Sequence, residues 1–334
     1  MAYQTGSASG QENLLSALFT FAVANGWTQD LFDTSNNKGS LHKGNCYVHF
    51  RWDGTDGTAI ALYQSLGYVG GNDPWNHTDD SGNGTTGTSL ESQRRVNGIG
   101  NGTYPAYHFF AHTSPDVIWV VLEYASGLYR HFGFGTLDKK GSWTGGEFVA
   151  GHVWQPNQSD IPSSVYHSLL LDGRYVNSSN YGATYQNMAA TVHAEGMPNQ
   201  NGSSKWGVCG WGMLSTLPDP ANDRAGNPRY WIQGGFRDGP VIEQYGWASP
   251  SLNDGFIPMM PIELFWADKD AVGGRAMYYI GKAPYVAHIQ HEGIIVAQEI
   301  TVGGDDWIVF PAVRKKYEQD DTEESWNMGI MYKK

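Results

Sequence analysis

Histidine is the residue type that most invites a search for metal or acid–base chemistry here, because the chain has eleven of them among 334 residues. The imidazole ring is the commonest protein ligand for metals. His108 and His112 would share one face of a helix, but residues 107–111 have the pattern of a strand, in which four residues span about 13 Å. That separation is too long for one ion, so we predict packing roles and no metal site for the candidates His49, His108, His112, His131, His152 and His167.

Acidic residues in turn-like segments are candidate calcium ligands. Calcium requires about six to eight oxygen ligands from a loop that folds back on itself. None of the clusters matches the twelve-residue calcium-loop pattern, so we expect solvated turns at Asp53 and Asp56, at Asp73, Asp79 and Asp80, and at Asp305 and Asp306.

Carboxylates near aromatic residues are candidates for the acid pair of a glycoside hydrolase. The candidates are Glu123, Glu147, Asp172, Glu195 and Glu243. Any β-rich protein of this size contains such residues, so the signal is weak. Other catalytic signatures are missing from the sequence: it has no phosphate-binding loop, no Gly-x-Ser-x-Gly, no His-Glu-x-x-His, no Cys-x-x-Cys and no dinucleotide fingerprint. We therefore predict a protein that is not an enzyme, with no catalytic residue and no cofactor.

Aromatic side chains are the most plentiful recognition chemistry, with 13 Trp, 19 Tyr and 13 Phe. Most are expected in the core. Exposed Trp and Tyr can also anchor a protein interface or stack on sugar rings. Three tryptophans stand beside Gly, Asn or Ser and are our candidates for glycan or interface contacts: Trp75, Trp143 and Trp211.

Composition favours many short strands joined by tight turns. The 43 glycines occur without a Gly-X-Y period, scattered among Trp, Tyr, Asn and Thr, and glycine supplies the positive φ that tight turns require.

A net charge of −12 argues against broad contact with a nucleic-acid backbone. No apolar stretch approaches 18 residues and residues 1–10 lack a secretory signal, so we expect no membrane insertion and synthesis in the cytoplasm. Cys46 and Cys209 are expected to be free and mostly buried.

One helix is predicted near the N-terminus. Its apolar face is expected to consist of Leu14, Leu15, Leu18, Phe19, Ala22 and Val23. Residues 9–12 have the form of a capping box, and Gly26 is a plausible C-terminal stop. A helix of about four turns is marginal alone in water, so this face must dock on its own domain or on a partner subunit.

Strands are predicted elsewhere from period-two patterns and apolar runs. Residues 46–52 and 58–62 form a hairpin, and the apolar run 117–124 is expected to be a central strand covered on both faces. The other predicted strands are 107–111, 129–134, 276–280, 299–302, 307–310 and 326–332. We predict a mainly β fold of antiparallel, sandwich or barrel-like sheets with one N-terminal α-helix.

Three segments follow from this pattern. Residues 1–45 hold the docking helix, residues 46–157 a first Gly- and aromatic-rich β-domain, and residues 158–334 a second β-domain, with the boundary placed at the polar stretch 154–162. Two long surface loops, 70–101 and 218–228, are expected to be functional or to be ordered by a neighbour.

Three stretches resemble virion-associated tail proteins of tailed bacteriophages. The first is the helix followed by residues 26–28 and the hairpin 46–62. The second is 129–135, continuing through 139–141, 145–149 and 151–154. The third is 307–311 with 327–332.

The resemblance implies a structural part of the virion tail, near the baseplate or tail tip, that assembles as a homo-oligomer with copies of itself and with other tail proteins. It carries over no active-site residue. The alternatives are a tail module that binds a host receptor or glycan and, below it, a polysaccharide-degrading tail enzyme.

Overall fold

Two β-sheets and one helix make up the part of the chain that the computed structural model describes. The described residues are 1–52, 60–74, 77–78, 103–151, 190–197, 206–210, 213–216, 259–268, 276–290, 295–311 and 328–334. The fold is mainly β with a short N-terminal helix, as predicted. The elements are β1 (Ala2–Ala8), α1 (Gln11–Ala24), β2 (Thr28–Asp33), β3 (Lys38–Lys43), β4 (Cys46–Trp52), β5 (Ile60–Ser65), β6 (Tyr104–Thr113), β7 (Asp116–Ala125), β8 (Leu128–Thr136), β9 (Asp138–Lys139), β10 (Thr144–Gly151), β11 (Ala190–Glu195), β12 (Trp206–Gly210), β13 (Met213–Thr216), β14 (Met259–Asp268), β15 (Ala276–Gln290), β16 (Gln298–Val302), β17 (Asp305–Pro311) and β18 (Met328–Lys333).

The larger sheet contains fourteen strands and the smaller one four. The long sheet has the order β1-β6-β7-β8-β10-β11-β12-β13-β14-β15-β18-β17-β16, with β9 paired to β15, and the small sheet has the order β2-β3-β4-β5. Pairing is antiparallel except between β13 and β14. The end strands of the long sheet, β1 and β16, do not pair with each other in the described residues, so the sheets are sandwich-like and do not close into a barrel.

Strand β7 lies at the centre, covered on both faces as its sequence predicts. Val117, Trp119 and Val121 belong to one hydrophobic core, which they share with residues of β14, β15, β17 and β18. Ile118, Val120 and Leu122 belong to a second core, which they share with α1 and the small sheet. Since side chains alternate along a strand, β7 and its neighbours form the middle of three layers. The long sheet folds back on itself to supply both the middle layer and one outer layer.

Helix α1 docks on its own chain. Leu14, Leu15, Leu18, Phe19, Phe21 and Ala22 are buried in the second core. Val23, which the helical spacing places on this face, is 48% exposed instead. Phe21 takes its place, with its ring centroid 5.5 Å from that of Phe109.

The helix ends differ in how well the sequence predicts them. Gly10 is the N-cap and no side chain caps it, so the predicted capping box does not form. At the other end Gly26 N–H donates to the Val23 carbonyl and Trp27 N–H to the Ala22 carbonyl. These two bonds make the Schellman motif, which confirms the predicted stop.

Hydrogen bonds join the middle and outer layers through side chains that face the first core. Trp119 Nε1 donates to the Pro284 carbonyl at 2.8 Å. His131 Nε2 lies 2.9 Å from the Pro311 carbonyl and Nδ1 lies 2.7 Å from the Tyr332 hydroxyl. A carbonyl can only accept, so Nε2 carries a hydrogen, and in the neutral ring that burial favours Nδ1 accepts from the Tyr332 hydroxyl. The buried ring is neutral because burial lowers the pKa of His131 to about 3.

Other predicted histidines also pack in the interior. His49 lies between the Ser40 and Ser65 hydroxyls, at 2.9 and 2.7 Å. His108 and His112 do lie on one strand, β6, and have separate partners: Tyr3 for the first and the Lys333 carbonyl for the second. Burial lowers the pKa of each of these two to about 4. His152 and His167 lie outside the described residues.

The long sheet continues across the sequence position chosen as a domain boundary. β10 pairs directly with β11, although 152–189 lie outside the described residues. The first core contains Trp119 and Phe148 from one side of the boundary and Trp266 and Tyr332 from the other. The described parts of the two predicted β-domains therefore share one core.

No helix in the described part of the chain is long and apolar enough to cross a membrane.

Replacement of Gly133 by alanine should destabilise the protein, because the Trp119 indole occupies the space above Gly133. A Cβ at this position would lie 2.0 Å from Trp119 Cε3 and 2.9 Å from the Ile118 carbonyl oxygen. We expect Gly133→Ala to lower the free energy of unfolding by about 1–3 kcal/mol, measured by urea denaturation. Gly70→Ala is the matched control, since its Cβ would meet only Tyr68 Cε1 at 4.0 Å. Equal stability of the two variants would contradict the packing described.

Acid should weaken the fold through His131. Its folded-state pKa of about 3 lies below its ordinary value of 6.5, so the unfolded chain binds a proton that the folded chain does not. This contribution to stability is complete above pH 6.5 and is lost as the pH falls from 6.5 towards 3. Between pH 6.5 and 5, the free energy of unfolding of His131→Gln should therefore fall less steeply than that of the wild type, by about 1.4 kcal/mol per pH unit. Parallel pH profiles would show that His131 is not held neutral.

Candidate functional site

Trp143 is the one tryptophan among our three candidates that lies in the described residues; Trp75 and Trp211 lie outside them. It is partly buried against the first core. Its indole Nε1 donates to the Lys140 carbonyl at 2.9 Å, and the Lys139 ammonium lies 5.2 Å from the ring centroid. Lys139 also donates to the Trp143 carbonyl at 2.8 Å. Contacts within the chain therefore hold this indole, and a sugar stacked on the Lys139 side would have to displace the ammonium.

Two of the five predicted carboxylates meet at a histidine beside this tryptophan. His193 Nδ1 lies 2.7 Å from Glu147 Oε2, and His193 Nε2 lies 2.8 Å from Glu195 Oε1. The side chains of His193 and Glu147 are 7% and 12% exposed, whereas that of Glu195 is 36% exposed. Both glutamates are among the carboxylates predicted from the sequence, whereas His193 is not. Glu123 accepts from the Gly127 N–H in a turn, and Asp172 and Glu243 lie outside the described residues.

A β-bulge aims Glu147 at His193. Three residue steps on β10, from Gly145 to Phe148, oppose two on β11, from Ala194 to Val192. A bulge of this kind redirects one side chain. Gly145 has a φ of 115° and lies so close to β11 that a Cβ would be 2.2 Å from the His193 carbonyl oxygen. Glycine is therefore required at this position.

The cluster is a charged clamp between β10 and β11. Both ring nitrogens of His193 face carboxylate oxygens, so both carry hydrogen and the ring is cationic. Burial lowers the pKa of His193, but the bonds to Glu147 and Glu195 outweigh it and leave the pKa above its ordinary value. Burial conversely raises the pKa of Glu147, but the bond from His193, a backbone hydrogen bond and the charges of His193 and Lys139 together outweigh it and leave that pKa lowered. With its nitrogens engaged in this way, His193 has no lone pair to accept a proton or to bind a metal.

Other predicted polar residues have partners of their own. Cys46 is free and buried, as expected, and its thiol donates to the Gly135 carbonyl. Burial, reinforced by the charge of Glu147, raises the pKa of this thiol, which keeps it protonated. Within the described residues no group of three or more His, Cys, Asp or Glu could hold a metal ion. The Cys209 side chain and the acidic residues Asp53, Asp56, Asp79 and Asp80 lie outside the part that is described.

The described part of the predicted loop 70–101 starts exposed and then contains two buried residues, Pro74 and His77. Thr78 pairs with Gly67, and the His77 ring stacks on His49 with centroids 3.8 Å apart. His77 is 5% exposed, so this short piece belongs to the body of the protein rather than to a surface loop. The remainder of this loop, apart from residues 70–74, and the loop 218–228 lie outside the described residues.

The long sheet has an open edge in the described fold. In the described residues β1 pairs only with β6, and β16 pairs only with β17. The two edges lie on the same side of the molecule, because the Lys334 ammonium lies 5.3 Å from the Tyr3 ring and forms an ion pair with Glu299. We call these two strands the open edge. Unpaired backbone groups along such an edge can pair with another chain.

Apolar side chains line the β16 part of the open edge. Val302 is 37% exposed, and Ile295, just before the strand, is 74% exposed. Ile300 packs against a small outer cluster that contains Trp307 and Met331. β16 has no proline, no lysine and no bulge in its register with β17. It therefore lacks three features by which natural proteins protect edge strands.

Charges on the open edge are largely paired, although the chain carries a net charge of −12. β1 contains no acidic or basic residue. In β16 the single charged residue is Glu299, which pairs with Lys334. Beside the strand, Asp305 pairs with Lys333 at 2.7 Å and Asp306 accepts from the Thr301 hydroxyl at 2.8 Å. A second copy that approached this surface would meet little electrostatic repulsion there.

The fold and this edge define a layered, mainly antiparallel β protein with an open sheet edge. Comparison with models of known protein families finds no family that matches the chain, and comparison with curated proteins finds no relative.

Loss of the His193 clamp should destabilise the protein in a manner that depends on pH. The folded-state pKa of His193 is raised above 6.5, so its contribution is complete below pH 6.5 and is lost as the pH rises through the raised value. We expect His193→Gln to lower the free energy of unfolding by about 2 kcal/mol at pH 6, and by less at pH 9. Urea denaturation at both values measures this difference. His131→Gln is the control with the opposite trend, since its deficit should shrink towards acid pH. A deficit for His193→Gln that grows with pH would contradict the charged clamp.

Proposed function

We propose that this protein is a structural component of a bacteriophage virion, in the tail or baseplate, and acts by assembling with copies of itself and with neighbouring tail proteins. The open edge is the observation that carries this proposal. An edge strand without proline, lysine or a bulge is a ready site for adding a strand from another chain, and main-chain hydrogen bonds supply the affinity.

The layered core supports the same proposal. β7 is enclosed on both faces and the three layers are joined by Trp119 and His131, so the body presents its edges from a rigid frame. Rigid partners lose less conformational entropy on association than flexible ones. The resemblance of three stretches to tail proteins directs the proposal to the tail.

Electron microscopy of purified phage particles, labelled with an antibody against this chain, tests the virion assignment. We expect label at the tail in a constant number of sites per particle. An antibody that finds the protein only in the soluble fraction of infected cells, with particles unlabelled, would refute the assignment.

Addition of a charge to the open edge should weaken self-assembly. We expect the wild-type chain to form oligomers as its concentration rises and Val302→Lys to raise the concentration at half-assembly at least tenfold, because lysine opposes strand pairing at an edge. Size-exclusion chromatography with light scattering measures both. Val23→Lys is the matched control, since Val23 is also exposed but belongs to the last turn of α1 and not to an edge strand. An equal effect of the two variants would argue against assembly through the open edge.

A further inference from the structure

The sequence of β16 is suited to pairing with itself. In an antiparallel pair of two copies related by a twofold axis, each residue lies opposite the residue at the same distance on the other side of the axis. An axis at Ile300, the middle residue, pairs all five residues of the strand. Ile300 then faces Ile300 of the other copy, Glu299 faces Thr301, and Gln298 faces Val302.

This register places no like charges opposite each other. The side chains of Gln298, Ile300 and Val302 lie on one face of the strand, where Ile300 already packs against the small outer cluster. Pairing therefore extends that cluster from one copy to the next and covers Val302, which is 37% exposed in the single chain. Glu299 lies opposite a hydroxyl and keeps its ion pair with Lys334. Cross-strand pairs of apolar β-branched residues are among those that stabilise sheets.

Neighbouring registers are less favourable. An axis at Glu299 places two glutamates opposite each other, and like charges in that position destabilise a sheet. An axis at Thr301 places Glu299 opposite Gly303, which belongs to the turn between β16 and β17 and has a positive φ of 62°. Gln298 would then lie opposite Gly304, so two of the five strand residues lose a partner within β16. Ile300 is thus the centre that the charges and the strand length both favour.

The other edge strand, β1, lies where the same twofold axis also brings its two copies together. The axis of an antiparallel twofold pair runs perpendicular to the sheet, and the middle and outer layers are stacked in that direction. β1 forms the edge of the middle layer on the same side of the molecule, next to Lys334 and Glu299. The axis therefore also brings the uncharged β1 edges of two copies towards each other, which adds to the buried area. A five-residue strand alone would fall short of the roughly 1,200 Å² that stable interfaces bury.

We propose that β16 is a homotypic interface, in which a second copy of this chain adds its own β16 in antiparallel register centred on Ile300. This inference rests on the proposed function, since it names the partner and the contact through which assembly begins. The two edges become interior strands of sheets that run through both copies.

Disulfide cross-linking between copies tests the register. Opposed residues in an antiparallel pair have Cα atoms about 4.5–5.5 Å apart, within the range that a disulfide spans. We expect purified full-length Ile300→Cys to form a covalent dimer on mild oxidation, at least fivefold more than Glu299→Cys alone. An equimolar mixture of Glu299→Cys and Thr301→Cys chains should give about half the covalent dimer of Ile300→Cys, because half of the randomly formed pairs combine the two variants. The wild-type chain, with buried Cys46 and with Cys209, gives the background.

The controls separate this inference from the proposed function. Val23→Cys on α1 should stay at background, and each variant is first shown to have the thermal midpoint of the wild type. If Ile300→Cys does not cross-link, or if Glu299→Cys cross-links to itself as well as Ile300→Cys does, the proposed register is wrong. Antibody label on the tail in that case would leave the virion assignment intact, with another surface as the contact.

Discussion

The double-sided burial of β7 is the constraint on which the rest of the structure depends. A strand without a polar face needs a cover on each side, and this chain supplies two different ones. The small sheet and α1 cover the side of Ile118, Val120 and Leu122. The opposite side, centred on Trp119, is covered when the C-terminal strands of the same long sheet fold back over it. Layer number and the position of both sheet edges follow from this arrangement.

Polar groups inside the layers add specificity to the apolar packing. Trp119 and His131 reach carbonyl groups of the outer layer, and the geometry of each bond permits only one arrangement of the ring. A buried donor without an acceptor costs about 1–3 kcal/mol. A shift of the outer layer by one residue would break both hydrogen bonds and incur this cost for each donor. The clamp of His193 with Glu147 and Glu195 has the opposite character, since it holds a charge at the end of the middle layer rather than a neutral ring inside it.

Much of the fold could be predicted from the sequence where a segment's own side chains determine its environment. The apolar run of β7, the alternation in β4 and the stop at Gly26 are local signals, and all three are confirmed. Strands made of small or polar residues were missed, among them β1, β2, β3 and β10, because their conformation depends on pairing with partners far away in the chain. Val23 was assigned to the buried face because helical spacing predicts which side of the helix is apolar but not which residues lie at the border of that side.

The candidate site was less predictable than the fold. Glu147 and Glu195 were predicted as candidate carboxylates, but their contact with His193 requires a β-bulge and the pairing of β10 with β11. His193 lies 46 residues after Glu147 in the chain, so no local pattern shows this contact. The open edge depends on which strand ends each sheet, and strand order is a property of the complete topology. The strand that contains Glu299 and Ile300 could be recognised as β structure, whereas its position at the edge of the sheet could not.

The closing position of β18 has a consequence for how the protein is made. Ile330 and Tyr332 complete the core around Trp119, while the partners of the second core are all synthesised by residue 149. On the ribosome, the side of β7 that packs against α1 can therefore be buried early. The Trp119 side is completed only when Ile330 has been synthesised, more than 170 residues after Val149. During that interval a nascent chain exposes a continuous apolar surface, which is the kind of surface that chaperones bind. Translation speed and chaperone supply, rather than final stability, would then set the yield of folded protein.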